Sequence, residues 1–207
     1  MKLQISFDSM LLEESIEKAT LIAQYADIIE VGTLPILKHG SKAVERFREA
    51  FPQATILADT KIIDRGRDIV SLFAQAGADW ISVMAGTHKE VIHGVCSKAH
   101  DMGKKVMLDM LDTNSAGQKA LEAQSLGIDA IMFHQMHAQA DSALFLEEWS
   151  MIQGNTNLPI FISSKTGKDL DQITSLNPYA LVIGNPITTA SDFVIQAQFF
   201  YEICKNK

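Results

Sequence analysis

Eight short runs of β-branched and other apolar residues recur along the chain, each followed by a stretch with helical periodicity. This alternation limits the possible folds more than any other feature. The runs begin near Leu3 (LQISFD), Ile28 (IIEVGT), Ile56 (ILADTK), Ile81 (ISVMA), Val106 (VMLDML), Ile131 (IMFHQ), Ile160 (IFISS) and Val182 (VIGN). Their interval is about 25 residues, near the least that a strand, a crossover helix and two short loops require. Strand and helix in regular alternation make a parallel sheet with helical crossovers. A doubly wound open sheet would usually carry a Gly-rich fingerprint after its first strand, whereas that turn here reads Asp8-Ser9-Met10-Leu11. The expectation is a closed (β/α)8 barrel in α/β class, a TIM barrel formed by residues 1–207 as a single domain. A chain of 207 residues leaves nothing over for a second core.

The punctuation between runs fits this count. Gly77-Ala78-Asp79 and Gly127-Ile128-Asp129 stand where a helix should end just before a strand, with glycine as the C-cap. Thr87-x-x-Glu90, Ser115-x-x-Gln118 and Thr166-x-x-Asp169 have the spacing of capping boxes directly after strands.

With 47% hydrophobic and 21% charged residues the chain can bury a large core, which excludes disorder and low-complexity assemblies. A net charge of -7 with no basic stripe disfavours a nucleic-acid partner, because such affinity rests on clustered cations. No uncharged run reaches the roughly 18 residues a membrane span needs, and Asp8 interrupts the opening apolar segment too early for a signal peptide. No membrane partner and a cytoplasmic location are expected. Cys96 and Cys204 fall in helical stretches without metal or redox spacing and read as packing residues. His39, His88, His93 and His100 have no partner pattern, and His137 reads as loop surface. Phe193, Phe199, Phe200 and Tyr201 read as an aromatic face of the last helix, packed on the barrel or on a second subunit.

Fully covered parallel strands should be almost continuously apolar, so charges at their C-terminal ends need a reason. Asp8 closes the first run, Glu30 sits in the second, Asp59 and Lys61 close the third, Asp109 lies in the fifth and His134 in the sixth. Asp59 and Lys61, two apart, share a side, which in a barrel can be the central mouth. In Asp59-Thr60-Lys61-Ile62-Ile63-Asp64 two carboxylates bracket an ammonium. A lysine so held stays charged despite partial burial and can stabilise negative charge on a substrate oxygen or deliver a proton. A surface ion pair with Asp64 as a helix cap fits the same spacing. Glu30 and Asp59 have the oxygen chemistry to hold one hard divalent ion, Mg²⁺ by preference, and equally suit hydrogen-bonded structural acids. His134 suits either a satisfied barrel histidine or a proton carrier facing the acidic cluster.

The Asp-x-Lys-x-x-Asp of the third run resembles the signature of the orotidine 5'-monophosphate decarboxylase suprafamily. The likeness extends over nearly the whole chain: Leu3-Gln4-Ile5 leading to Asp8, Asp27-Ile28-Ile29-Glu30-Val31-Gly32-Thr33, Ala50-Phe51-Pro52, Leu57-Ala58-Asp59-x-Lys61 and Ala76-Gly77-Ala78-Asp79. These segments resemble two sister families, the 3-hexulose-6-phosphate synthases and the 3-keto-L-gulonate-6-phosphate decarboxylases. The resemblance implies a ribulose-phosphate-binding barrel in which Glu30 and Asp59 help hold Mg²⁺ and Lys61 stabilises a cis-enediolate. It further implies that His134 serves in proton transfer and that Asp64 reaches into the neighbouring subunit's site, hence a homodimer with shared active sites.

Leu108-Asp109-Met110 resembles the Val-Asp-(Met/Leu) of the synthases, whereas the decarboxylases usually have Glu in that strand. His134-Gln135-Met136-His137 matches neither the synthases' His-Thr-Gly nor the decarboxylases' His-Arg-Ser-Arg. After the seventh strand the family's Ala-Gly-Gly-Ile is replaced by Ser163-Ser164-Lys165-Thr166, and after the eighth stands Gly184-Asn185. Backbone N–H groups of these loops, with Ser164 and Lys165 as added donors, can still cradle a phosphate, although side chains obstruct the close approach that glycine permits. The expected activity is a 3-hexulose-6-phosphate synthase-like aldehyde-lyase on a sugar phosphate. It joins formaldehyde to D-ribulose 5-phosphate, with Asp8 and Asp109 orienting hydroxyls. The sister decarboxylation is the alternative, and a barrel that binds a sugar phosphate without turnover is a third reading.

Overall fold

The computed structural model describes residues 1–135, 142–166 and 170–206. Met136, His137 and Asp169, and with Asp169 the third capping box, lie outside the described residues. The strands are β1 (Lys2–Phe7), β2 (Ile28–Val31), β3 (Ile56–Ile62), β4 (Trp80–Met84), β5 (Lys105–Asp109), β6 (Ala130–Gln135), β7 (Ile160–Ser164) and β8 (Ala180–Ile183). Each pairs in parallel with the next in sequence, and β8 returns to β1 to close the barrel. Helices alternate with them: α1 (Leu12–Ile22), α2 (Thr33–His39), α3 (Ser41–Ala50), α4 (Gly66–Gln75), α5 (Lys89–Asp101), α6 (Ala116–Leu126), α7 (Ser142–Asn155), α8 (Leu170–Ser175), α9 (Asn185–Thr188) and α10 (Phe193–Lys205). The eight expected runs are the eight strands.

Strand side chains alternate between two sides of the barrel wall, and the core divides accordingly. Leu3, Ile5, Phe7, Ile29, Val31, Ile81, Val83, Val106, Leu108, Ile162 and Leu181 point outward and join the helices in the larger cluster. Ile28, Leu57, Met107, Ala130, Met132, Phe161, Ala180 and Val182 point inward with Trp80 and fill the barrel. Each buried Val, Leu, Ile, Phe or Met among them contributes about 1.5–3 kcal/mol. The filled interior is a floor, so the polar inward residues nearer the strand C-termini have a cavity above them and apolar packing below.

At the opposite, N-terminal end the strand starts are fixed by carboxylates. Asp27 accepts the Leu3 N–H at 2.8 Å, Asp79 the Ile56 N–H at 2.9 Å and Asp129 the Val106 N–H at 2.8 Å. Each aspartate directly precedes an even-numbered strand and reaches back to the odd-numbered strand paired with it. Each also meets a cation or a histidine: Lys205 at 2.9 Å, Arg48 at 2.5 Å and His100 at 2.9 Å. The glycines of Gly-Ala-Asp and Gly-Ile-Asp are in the left-handed region, Gly77 at φ +100° and Gly127 at φ +93°, so they end their helices as expected.

Some local expectations are corrected. Thr87 does not cap α5, whose N-cap is His88; its hydroxyl donates to the Ile63 carbonyl at 2.7 Å. Ser115 is the α6 N-cap but makes no side-chain cap bond, and Gln118 turns to Glu122. The aromatic residues of α10 do not form one face. Phe200 is buried, Phe199 is exposed, and Tyr201 packs on Tyr25 with ring centroids 5.7 Å apart. Cys96 and Cys204 are buried packing residues, and among the described residues no helix is long and apolar enough to cross a membrane.

Candidate active site

The site begins with an irregularity in β3. Ala58 pairs with Ile81 and Ile62 with Val83, so four steps along β3 are matched by two along β4. The extra length is a bulge, the usual way a barrel rim re-aims a side chain. Lys61 lies in it at φ +45°, a left-handed conformation that costs a non-glycine residue about 1 kcal/mol or more. Its ammonium then sits between two carboxylates, 3.1 Å from Asp59 Oδ1 and 2.5 Å from Asp109 Oδ2. Burial acts to lower the Lys61 pKa, but Asp59 and Asp109 outweigh it and hold the pKa above its ordinary value. Lys61 is a permanent cation at neutral pH.

The second carboxylate is not the one expected from spacing. Asp64 is exposed, accepts the Arg65 N–H at 2.6 Å and does not line the cavity within this chain. Asp109 takes its place, because β5 lies two strands away around a curved wall and its C-terminal residue faces the same mouth. Asp109 also accepts the Leu111 N–H at 2.9 Å and stands 2.7 Å from His134 Nε2. Burial works against its charge, yet the His134 hydrogen bond and charge and the Lys61 ammonium bring its pKa down to about 2. An ionised carboxylate only accepts, so the His134 proton at this contact is on Nε2.

Glu30 is buried on β2 between the Ser6 hydroxyl at 2.7 Å and the Gln4 amide at 2.5 Å. Desolvation first, and the neighbouring Asp59 charge second, raise its pKa to about 7. Asp59 is held by the Thr33 hydroxyl at 2.7 Å and by the Ser82 hydroxyl at 2.9 Å. Two carboxylates sharing a buried corner repel unless a cation or a proton relieves them. Among the described residues no three His, Cys, Asp or Glu side chains converge in a metal-holding arrangement. Two carboxylates nevertheless suffice for Mg²⁺, which keeps most of its waters.

These groups face a cavity of about 300 Å³ at the C-terminal mouth of the barrel, at the small end of the range for small-molecule sites. Asp8, Glu30, Asp59, Lys61, Asp109, His134, Ser164, Lys165, Gly184 and Asn185 all line it, so of the candidate residues only Asp64 is absent. Leu57, Met107, Leu111, Met132 and Val182 give the cavity an apolar side. Asp8 is partly committed: its Oδ1 accepts the Leu34 N–H at 2.7 Å at the start of α2. This approach depends on Gly32, since a Cβ there would come within 2.5 Å of Asp8 Oδ1. Gln4, Ser6, Thr33 and Ser82 also belong to the site but were not legible as such. The available signal for Gln4, Ser6 and Ser82 was a polar residue at an inward position of an apolar run, whereas Thr33 opens α2.

Fold and site together define a (β/α)8 barrel enzyme whose charged chemistry is gathered at the strand C-termini. The model of the orotidine 5'-phosphate decarboxylase / HUMPS family matches residues 1–198, and the chain belongs to that family. It is 33% identical over 195 residues to a 3-hexulose-6-phosphate synthase of Bacillus subtilis (strain 168), with 93% of each chain covered. Among solved structures it resembles the 3-hexulose-6-phosphate synthase from Salmonella typhimurium at a TM-score of 0.89 and 26% identity, with 98% of each chain covered. The fold is shared also with KGPDC from Streptococcus mutans, at a TM-score of 0.86 and 23% identity, covering 99% of this chain and 97% of that one.

Proposed function

We propose that this chain is a 3-hexulose-6-phosphate synthase, joining formaldehyde to D-ribulose 5-phosphate through an enediolate. The observation that carries the reading is the Lys61 ammonium held between Asp59 and Asp109 in the cavity. Removal of the proton from the carbon next to the substrate carbonyl leaves an enediolate. Lys61 meets its oxygen charge with a cation already desolvated and oriented, which costs no reorganisation during reaction. The enediolate carbon then bonds to the formaldehyde carbon, and the new alkoxide takes a proton. His134, fixed on Asp109, is placed to carry protons in these steps, with Asp64 entering from a second subunit. Asp8 and Asp109 orient hydroxyls, and Ser164, Lys165, Gly184 and Asn185 form the phosphate end.

The acidic surplus of the cavity suits one hard divalent cation. Glu30 and Asp59 would hold Mg²⁺, which when bound supplies Lewis-acid polarisation of substrate oxygens. Synthase is favoured over 3-keto-L-gulonate-6-phosphate decarboxylase because the described lining residues hold few cations for a substrate carboxylate. Among the described lining residues the lysines are Lys61, already engaged by two carboxylates, and Lys165 at the phosphate end. The free, buried Cys96 and Cys204 suit a reducing cytoplasm.

We further place a second copy of the chain over the mouth. Met10 and Leu11, Leu34 and Leu37 of α2, and Ile63 next to Asp64 are large apolar residues left 41–76% exposed on the segments after β1, β2 and β3. A homodimer that covers them would bring Asp64 to the partner's cavity.

The test is turnover of formaldehyde plus D-ribulose 5-phosphate, and of 3-keto-L-gulonate 6-phosphate, by the wild type and Lys61→Ala, with and without Mg²⁺. Condensation by the wild type and a loss of at least about 10³-fold in Lys61→Ala at unchanged circular dichroism are expected. Near-wild-type turnover in the variant would refute the role of Lys61. Turnover of the gulonate alone would make the chain a decarboxylase, and tight sugar-phosphate binding without turnover would make it a binding barrel.

A further inference from the structure

Three consecutive residues of β3 bond to one residue of β4. Asp59 Oδ1 accepts from the Ser82 hydroxyl at 2.9 Å, Thr60 Oγ1 donates to the Ser82 carbonyl at 2.8 Å, and the Lys61 N–H donates to the Ser82 hydroxyl at 2.9 Å. Ser82 is 2% exposed and sits in the otherwise apolar run WISVM. Its hydroxyl hydrogen is therefore directed at Asp59 and its lone pair at the Lys61 backbone. These bonds span the bulge where Lys61 is held at φ +45°.

We propose that Ser82 is the positioning residue of the active site, holding Lys61 in its left-handed conformation and Asp59 in its orientation through one hydroxyl. The role follows from what each partner lacks without it. The Lys61 N–H lies where the ladder has lost register, so the hydroxyl substitutes for the missing strand acceptor. Relaxation of Lys61 out of the left-handed region turns the start of its side chain and carries the ammonium away from Asp59 and Asp109. Asp59 is held by three donors, Thr33, Ser82 and the Lys61 ammonium, and loss of Ser82 together with a displaced ammonium leaves only Thr33 to hold the carboxylate. Ser82 lines the cavity, but its one hydroxyl hydrogen is committed to Asp59 while it accepts from the Lys61 N–H, so it acts through Lys61 and Asp59.

This inference rests on the reading of Lys61 as the catalytic cation, and its test separates the two. Ser82→Ala, Ser82→Cys and Ser82→Thr are assayed beside Lys61→Ala, with kcat, KM for D-ribulose 5-phosphate and melting temperature measured for each. The alanine variant should lose on the order of 10²-fold in kcat with KM changed by less than about threefold, because misplacement by an ångström weakens charge stabilisation more than binding. The cysteine variant, which keeps volume but bonds weakly, should fall near alanine. Threonine, which keeps the hydroxyl, should recover most of the rate. An inactive Lys61→Ala with fully active Ser82→Ala would overturn the positioning role and leave the lysine's role intact; an active Lys61→Ala would remove the basis of both. A crystal structure of the alanine variant gives a readout independent of turnover. Lys61 should have left positive φ there, and Lys61 still seated between both carboxylates would overturn the inference.

Discussion

At the scale of single residues, Asp109 joins the site's electrostatics to the protein's stability. Its pKa falls from 3.8 to about 2 on folding, so the unfolded chain binds more protons between those values and stability rises with pH across them. The contribution is fully present above pH 4 and is lost as pH drops toward 2; at most it is about 2 kcal/mol. Acid unfolding of Asp109→Asn, followed by circular dichroism, should accordingly be flatter between pH 4 and 2 than that of the wild type. An identical acid limb would show that Asp109 gains nothing from Lys61 and His134. The pairing of Asp59 with Lys61 was legible because alternation alone puts residues two apart on one side. Asp109 as the second counter-ion was not, because a partner 48 residues away is brought near only by barrel curvature and register. Ser6 and Ser82 in their apolar runs, and Thr33 at the start of α2, were missed for another reason: a hydroxyl carries no charge, and its importance lies in the partner that the fold delivers.

At the scale of elements, the same residue type does two opposite tasks at the two ends of the strands. Inward aspartates at the C-terminal ends collect charge, while Asp27, Asp79 and Asp129 fasten strand starts in successive ββ pairs. Asp79 accepts both the buried Ile56 N–H and the Arg48 guanidinium. Asp79→Ala leaves that N–H without its acceptor and should destabilise by about 1–3 kcal/mol. Thermal denaturation should show this as a fall of several degrees in Tm, with kcat preserved; an unchanged Tm would mean that the carboxylate is replaceable by water. The Gly-x-Asp pattern that marks two of these clamps was visible in the sequence as a helix stop, since a positive φ is a local demand. The capping boxes at Thr87 and Ser115 misled because their hydroxyl spacing is local but the choice of partner is not: Thr87 is drawn to Ile63 of the preceding loop.

At the scale of the whole molecule, the eight strand and helix units were legible from periodicity and closure from a first turn without a Gly-rich fingerprint, but the exposure of the residues around the mouth is something no periodicity reports. The apolar residues beside Asp64 give this a test. If the proposed homodimer forms, Leu37→Lys with Ile63→Lys should make the chain sediment as a monomer and reduce turnover together, since Asp64 would then reach no neighbouring cavity. A wild type that sediments as a fully active monomer would rule out shared sites.

The closed strand order has a kinetic consequence as well. Seven of its eight seams join strands adjacent in sequence, and only the β1–β8 seam joins residues 2–5 to residues 180–183. Loop-closure entropy is smallest for the adjacent pairs, so they can zip one after another while the last seam waits for both ends of the chain. The contact between Lys205 and Asp27 sits beside that seam, since Asp27 also accepts the Leu3 N–H of β1. The seam between the two ends of the chain is therefore expected to form last, and weakening it should slow completion of the ring more than growth of the arc.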